Sequence, residues 1–192
     1  VIFATVGSQE PFDRLIRAVD EWARLHPRID IFAQIGNSDF RPKHIDYTKF
    51  LEPAEFNRVM QAASVIVAHA GMGSIISALE LGKPIVVMPR HGALCETRND
   101  HQVATAKRFG AQGRVVVAQD GRDFLGKLDY ALTLPATDRI NPEASPRLIA
   151  TIRAFLDNDL SELDPAISLG KFESPAAKSA AVSLASFRTR KA

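Results

Sequence analysis

The stretch His69-Ala70-Gly71-Met72-Gly73-Ser74 decides the fold. Ahead of it runs Ala63-Ser64-Val65-Ile66-Val67-Ala68, apolar and rich in β-branched residues, as in a strand buried on both faces. Behind it runs Ile75-Ile76-Ser77-Ala78-Leu79, which contains neither Gly nor Pro, with Ser74 at its head as a helix N-cap. The pattern predicts a strand, a glycine turn and a helix start. A helix start leaves N–H groups unbonded at the positive end of the dipole. Gly71 and Gly73 remove Cβ atoms that would keep an anion off the backbone, which suits a phosphate or diphosphate. Such turns also occur without a ligand, and a His at a strand end is often a core residue. The rest of the chain has to decide.

A second unit of the same kind opens the chain. Val1 to Val6 predicts a buried strand ending in Gly7-Ser8-Gln9-Glu10-Pro11. Phe12, Leu15, Ile16, Val19, Trp22 and Ala23 then recur at helical spacing, with Pro11 in the first turn and Pro27 closing the segment. Ile29 to Ile35 predicts a strand, and Ile45 to Leu51 a short or edge strand. Pro53 begins a helix with Phe56, Val59, Met60 and Ala63 inward. After the glycine turn, the helix ends at Leu81-Gly82 and Pro84 to Met88 forms another strand. A polar loop, 89–99, leads to a helix from about Asp100 to Phe109 that ends at Gly110. Val115-Val116-Val117 is the last strand, and helices follow around Phe124 to Leu132 and Pro146 to Leu156. Alternating strands and helices mean an α/β fold, a Rossmann-like parallel sheet with helices on both faces. Ligands of such sheets bind beyond the carboxyl ends of the strands. Both glycine turns and the polar loop lie at that edge.

Composition narrows the field. The chain has 192 residues, 46% of them apolar, and a net charge of +2. That is one domain able to bury a core, with no electrostatic case for nucleic acid. Its one cysteine, Cys95, excludes an internal disulfide framework and fits a reducing compartment. No apolar run approaches the roughly 18 residues of a membrane span, and no signal peptide is visible. Internal repeats are absent. Val1 opens the chain without Met, so a few residues are expected to be missing. The domain is expected over 1–157. From about Ser161 Ala, Ser, Pro and Lys dominate, so 158–192 is expected to be a flexible tail. Within it, 176–187 could form a weak helix on a partner, and the basic end Arg188-Thr189-Arg190-Lys191 could touch an anionic membrane.

Several chemistries drop out. No G-x-G-x-x-G follows Val6, and no P-loop is present, since Pro84 follows Gly82-Lys83 where a magnesium-binding hydroxyl would be needed. Cys/His clusters for zinc and a G-x-S-x-G elbow are absent. What remains is a two-part site. Glycine-rich helix starts supply backbone donors. The loop Arg90-His91-Gly92-Ala93-Leu94-Cys95-Glu96-Thr97-Arg98-Asn99-Asp100-His101-Gln102 supplies amides, carboxylates and imidazoles that satisfy sugar hydroxyls. Together they point to a nucleoside-diphosphate sugar. The plain alternative for the loop is a solvated linker.

His69-Ala70-Gly71-Met72-Gly73-Ser74, Leu81-Gly82-Lys83-Pro84, Val86-Val87-Met88-Pro89, Glu96 and Asn99-Asp100-His101-Gln102 resemble the donor-binding carboxyl-terminal half of GT-B glycosyltransferases, family 28. Thr5-Val6-Gly7-Ser8-Gln9 with Pro11-Phe12-Asp13-Arg14-Leu15-Ile16 resembles its short-chain branch. That branch holds the donor subunit of the eukaryotic two-part N-acetylglucosaminyltransferase of dolichol-linked glycan assembly and the PssE-like subunits of exopolysaccharide synthesis. The likeness covers roughly 1–155.

The resemblance implies a single GT-B donor-binding domain. It places the donor diphosphate on His69, Gly71, Met72, Gly73 and Ser74, with Gly7 and Ser8 facing the reaction centre. Ser77 stands where larger relatives carry a ribose-binding Glu. Asp100 and Gln102, with His101 between them, correspond best to the pair that contacts the sugar, and Glu96 and Asn99 are nearby candidates. It implies no cofactor and no metal. It also implies inverting transfer from a UDP-sugar donor to a lipid-linked sugar acceptor, in the cytoplasm at the inner face of the membrane. A membrane-anchored PssD-like subunit would bind the acceptor. The catalytic base stays open among His91, His101, Glu96, Asp13 and the partner. Arg90 or Arg98 could pair a uronic acid, although exposed loop arginines are usually solvated. A UDP-sugar 2-epimerase would need a second domain in the chain, and a non-catalytic nucleotide-sugar-binding or scaffold subunit is the other reading.

Overall fold

The computed structural model describes residues 1–141 and 143–156; the expected tail, 158–192, lies outside them. Backbone contacts divide the chain into two units, 1–142 and 143–192. The second contributes one described helix, α6 (Pro146–Leu156).

The first unit is a six-stranded parallel sheet in the order β3-β2-β1-β4-β5-β6. Its elements are β1 (Ile2–Thr5), α1 (Asp13–Leu25), β2 (Ile31–Gln34), β3 (Asp46–Thr48), α2 (Pro53–Ala62), β4 (Val65–His69), α3 (Met72–Glu80), β5 (Ile85–Met88), α4 (His101–Ala111), β6 (Val116–Val117) and α5 (Gly121–Thr133). A 3-10 turn, Gly92–Leu94, lies in the loop after β5. β1 pairs with β2 on one side, Ile2 opposite Ile31, and with β4 on the other, Ile2 opposite Val65. β4 then pairs with β5, Ile66 opposite Ile85.

Strand side chains alternate between the two faces of the sheet. Ile2, Ala4, Val65 and Val67 pack with Leu15, Val19, Trp22, Phe124 and Leu128 of α1 and α5. Phe3, Ile66 and Ala68 pack with Met60, Ile75, Leu79 and Ala106 of α2, α3 and α4. Burial on both faces explains why β1, β4 and β5 read as continuous apolar runs. Trp22, wholly buried, donates its indole N–H to Asp129 Oδ1 (2.8 Å) and so fixes α1 against α5.

Three sequence expectations need correction. Ser74 does not cap α3. The helix begins at Met72 with Gly71 as N-cap in extended conformation, and no side chain caps it. It starts earlier because the Gly71 carbonyl already accepts the N–H of Ile75 (3.2 Å). Pro11 lies one residue before the α1 N-cap, Phe12. α4 runs through Gly110 to Ala111, and its chain turns at Gly113 instead.

Candidate functional site

The strand order reverses direction between β1 and β4. In such sheets the crevice for ligands opens at that switch point, beyond the strand ends. The turn after β1 and the turn after β4 therefore stand side by side. A cleft of about 790 Å³ lies there, lined by Gly7, Ser8, His69, Gly71, Met72, Gly73, Ser74, Ser77, Asn99, His101 and Gln102 among others.

His69 ends β4 and forms the floor. Its ring is wedged between two glycines. A Cβ on Gly71 would lie 2.2 Å from Nε2, and a Cβ on Gly7 would lie 2.8 Å from Cε1. Gly7 also has φ of +81°, in the left-handed region that favours glycine. The two glycines are thus required by the imidazole. Gly73, by contrast, has nothing within 4 Å of its Cβ direction. Burial first, and the Arg90 charge second, hold the His69 pKa down to about 4, so the ring is neutral at pH 7. Its Nδ1 is buried without a hydrogen-bond partner.

The wall above His69 is the start of α3. The Gly71 N–H is turned back onto the His69 carbonyl (2.8 Å), and the first helical bond is made by Ile75. The N–H groups of Met72, Gly73 and Ser74 are the orphan donors of the helix start. The opposite wall is the β1–α1 turn. Gly7 N–H donates to Thr5 Oγ1 (3.1 Å), and the buried Gln34 amide donates to the Gly7 carbonyl (3.3 Å).

The loop after β5 supplies the third wall, and Arg14 fastens it. Arg14 of α1 grips Glu96 with two bonds, Nε to Oε1 (2.7 Å) and Nη2 to Oε2 (2.8 Å), and also donates to the Pro89 carbonyl (2.8 Å). The N–H of His91 donates to Glu96 Oε2 (3.0 Å). Burial is the largest single influence on the Glu96 pKa and raises it, but these bonds and the charges of Arg14 and His91 together outweigh it and lower the pKa. Glu96 therefore does not line the cleft; it holds the loop. Asp100 is turned away in the same manner, its Oδ1 accepting the N–H of Gly92 (2.8 Å). Asn99, His101 and Gln102 do line the cleft. Asn99 Oδ1 accepts from the His101 backbone N–H (3.2 Å) and is bonded to His101 Nδ1. Of the candidate bases, His101 lines the cleft and His91, Glu96 and Asp13 do not.

The sequence pattern assigns no role to Gln9, Glu10 and Phe56, although they line the cleft, and it offers Arg90 and Arg98 alike as partners for a uronic acid, with solvation as the ordinary fate of a loop arginine; both arginines and Thr97 line the cleft. Arg90 stands two residues beyond the end of β5, and that position at a strand's carboxyl end is the available signal. It is no solvated loop residue, being 5% exposed. Among the described residues no group of three or more His, Cys, Asp or Glu could hold a metal ion, and no helix is long and apolar enough to cross a membrane.

Fold and cleft define a Rossmann-like α/β domain with its ligand crevice at the sheet's switch point. The chain belongs to the glycosyltransferase family 28 C-terminal domain family, whose model matches residues 1–135. It is 29% identical to the human UDP-N-acetylglucosamine transferase subunit ALG13 over 125 residues, 59% of this chain and 10% of that protein. With the Yarrowia lipolytica ALG13 subunit it shares 26% over 137 residues, 62% of this chain and 65% of that one. The matches thus span less than two thirds of the length of either relative. An NMR solution structure of ALG13 superposes with a TM-score of 0.53 at 17% identity, covering 81% of this chain and 94% of that one. The UDP-GlcNAc 2-epimerase of Methanocaldococcus jannaschii gives 0.54 at 13% identity, covering 82% and 45%. At these identities the structures speak for the fold.

Proposed function

We propose that this chain is the donor-binding subunit of a split, inverting glycosyltransferase. The observation that carries the reading is the convergence at one cleft of the α3 start, the Gly7 turn and a neutral His69 between them. Family membership and the likeness to ALG13 subunits support it. In this reading a UDP-sugar lays its diphosphate on the free N–H groups of Met72, Gly73 and Ser74, with Gly7 and Ser8 opposite. His69 donates a hydrogen bond from below. Ser77 lies one turn further along α3, towards the ribose. Asn99, His101 and Gln102 face the sugar.

When the glycosidic bond to the diphosphate breaks, negative charge grows on the leaving phosphate oxygen. Oriented backbone donors stabilise that charge without having to reorganise. Glu96 and Asp100 serve this site at one remove, by shaping the loop that carries the sugar-facing residues. The base that takes the acceptor hydroxyl's proton lies either at His101 or on the partner. The acceptor is a lipid-linked sugar, the partner a membrane-anchored PssD-like subunit that binds it at the inner face of the membrane, and the pathway exopolysaccharide synthesis. The test is transfer of radiolabelled sugar from a panel of UDP-sugars into lipid, in membranes carrying the partner, with and without this chain. Incorporation that needs both components supports the reading. Incorporation independent of this chain sinks it. Donor binding without transfer by any partner leaves a nucleotide-sugar-binding subunit.

A further inference from the structure

Arg90 is the second residue after β5 and is 5% exposed, yet among the described residues it makes no salt bridge; the carboxylates of Glu10 and Glu96 favour its charge only from beyond ion-pair distance. Its Nη2 donates to two main-chain carbonyls, of Val6 (2.8 Å) and Glu10 (2.5 Å). The guanidinium carbon lies 5.0 Å from the centre of the Phe12 ring. Its backbone N–H donates to Gln102 Oε1 (3.3 Å), and its Nε is buried with no partner. The nearby carboxylate of Glu96 is already engaged by Arg14. The hydrogen bonds and the ring contact of Arg90 thus all go to neutral groups, and among the described residues no carboxylate touches its guanidinium.

Burying an unneutralised cation is costly, and proteins rarely keep one without an anion to meet it. Arg90 lines the cleft beside His69. His69 is neutral at pH 7 and brings no charge of its own. The other ionisable groups that line the cleft, Glu10, Arg98 and His101, are exposed, so water and salt screen them. Arg90 is therefore the buried positive charge of the cleft. It also fixes cleft shape, because its carbonyl bonds tie the turn carrying Gly7 and Glu10 to the loop that leads to α4.

We propose that Arg90 is a positioning residue that supplies the fixed charge retaining a diphosphate over the cleft floor, acting through space while its hydrogen bonds stay on the main chain. This rests on the reading of the cleft as a nucleoside-diphosphate site. Opposite unit charges about 10 Å apart, at an effective dielectric near 20, favour association by roughly tenfold.

The experiment compares UDP with uridine by NMR titration of the full chain, unchanged and as Arg90→Met, Arg90→Gln and Arg90→Lys. All three variants lose the guanidinium, and only Lys keeps a charge. The expected result is that Met and Gln lower the affinity for UDP about tenfold relative to that for uridine. Lys keeps the ratio near that of the unchanged chain. A purely structural role would lower both ligands together in every variant, and that result overturns the proposal. So does a Lys variant that loses UDP selectivity as fully as Met. If Met fails to fold, Gln retains a donor for the carbonyls and carries the same comparison. If the unchanged chain binds neither ligand, the diphosphate reading itself fails and takes this inference with it.

Discussion

Replacing Gly71 by alanine sets a methyl carbon 2.2 Å from His69 Nε2 and 2.8 Å from Cδ2. Ordinary carbon–nitrogen contact begins more than about 3.4 Å away, so the ring has to move by roughly 1 Å or rotate. On its other face the ring meets Gly7, where a Cβ would stand only 2.8 Å from Cε1, and beneath it β4 is buried. Overpacking of this kind costs about 1–3 kcal/mol. The backbone itself adds nothing, since Gly71 sits at φ −85°, ψ 138°, a conformation open to alanine. The cost is thus assigned to one contact, which a double-mutant cycle isolates. Urea denaturation should show Gly71→Ala losing about 1–3 kcal/mol in the parent chain and much less in a His69→Ala background. Gly7→Ala should be only partly rescued by His69→Ala, because its φ of +81° remains strained. If the Gly71→Ala loss were undiminished without the imidazole, the wedged-ring account of the floor would be wrong.

Three further outcomes are expected. Arg14→Met removes the guanidinium donor of Glu96 and of the Pro89 carbonyl, so stability should fall by about 1–3 kcal/mol in urea, and hydrogen exchange should rise at the His91 amide. His69 has its pKa held at about 4 when folded and near 6.5 when unfolded, so the unfolded chain binds the proton first as pH falls. Its contribution is therefore present in full above about pH 6.5 and is lost towards pH 4, by about 3 kcal/mol, and His69→Gln should remove that part of the pH slope measured by denaturation. Gly110→Ala should destabilise the chain despite a helix-propensity gain of about 1 kcal/mol, because its Cβ would come 2.8 Å from Val117 Cγ2; Val117→Ala should restore the loss in a melting experiment.

The sheet was legible because its strands are buried on both faces and its helices are amphipathic, so periodicity alone separated them. The same pattern located both glycine turns, and the parallel connection put them at one edge. What could not be read was the purpose of each glycine. The pattern reads Gly71 and Gly73 as openings for an anion, whereas Gly71, like Gly7, first of all makes room for His69, a contact across 62 residues of chain for Gly7. Ser74 is a good capping residue and so draws the expected α3 cap to itself, while the helix starts on the Gly71 backbone with no side-chain cap. Glu96 and Arg90 depend on partners at Arg14 and Val6, and such long-range pairing leaves no local periodicity to detect.

The most direct measurement is a ¹H–¹⁵N spectrum of the full chain titrated with UDP. The account predicts saturable shifts of the Met72, Gly73 and Ser74 amides, with Gly7 and Ser8 opposite, and no comparable shifts at the far edge of the sheet around β3. Saturable shifts confined to other surfaces, or none at millimolar UDP, would contradict it.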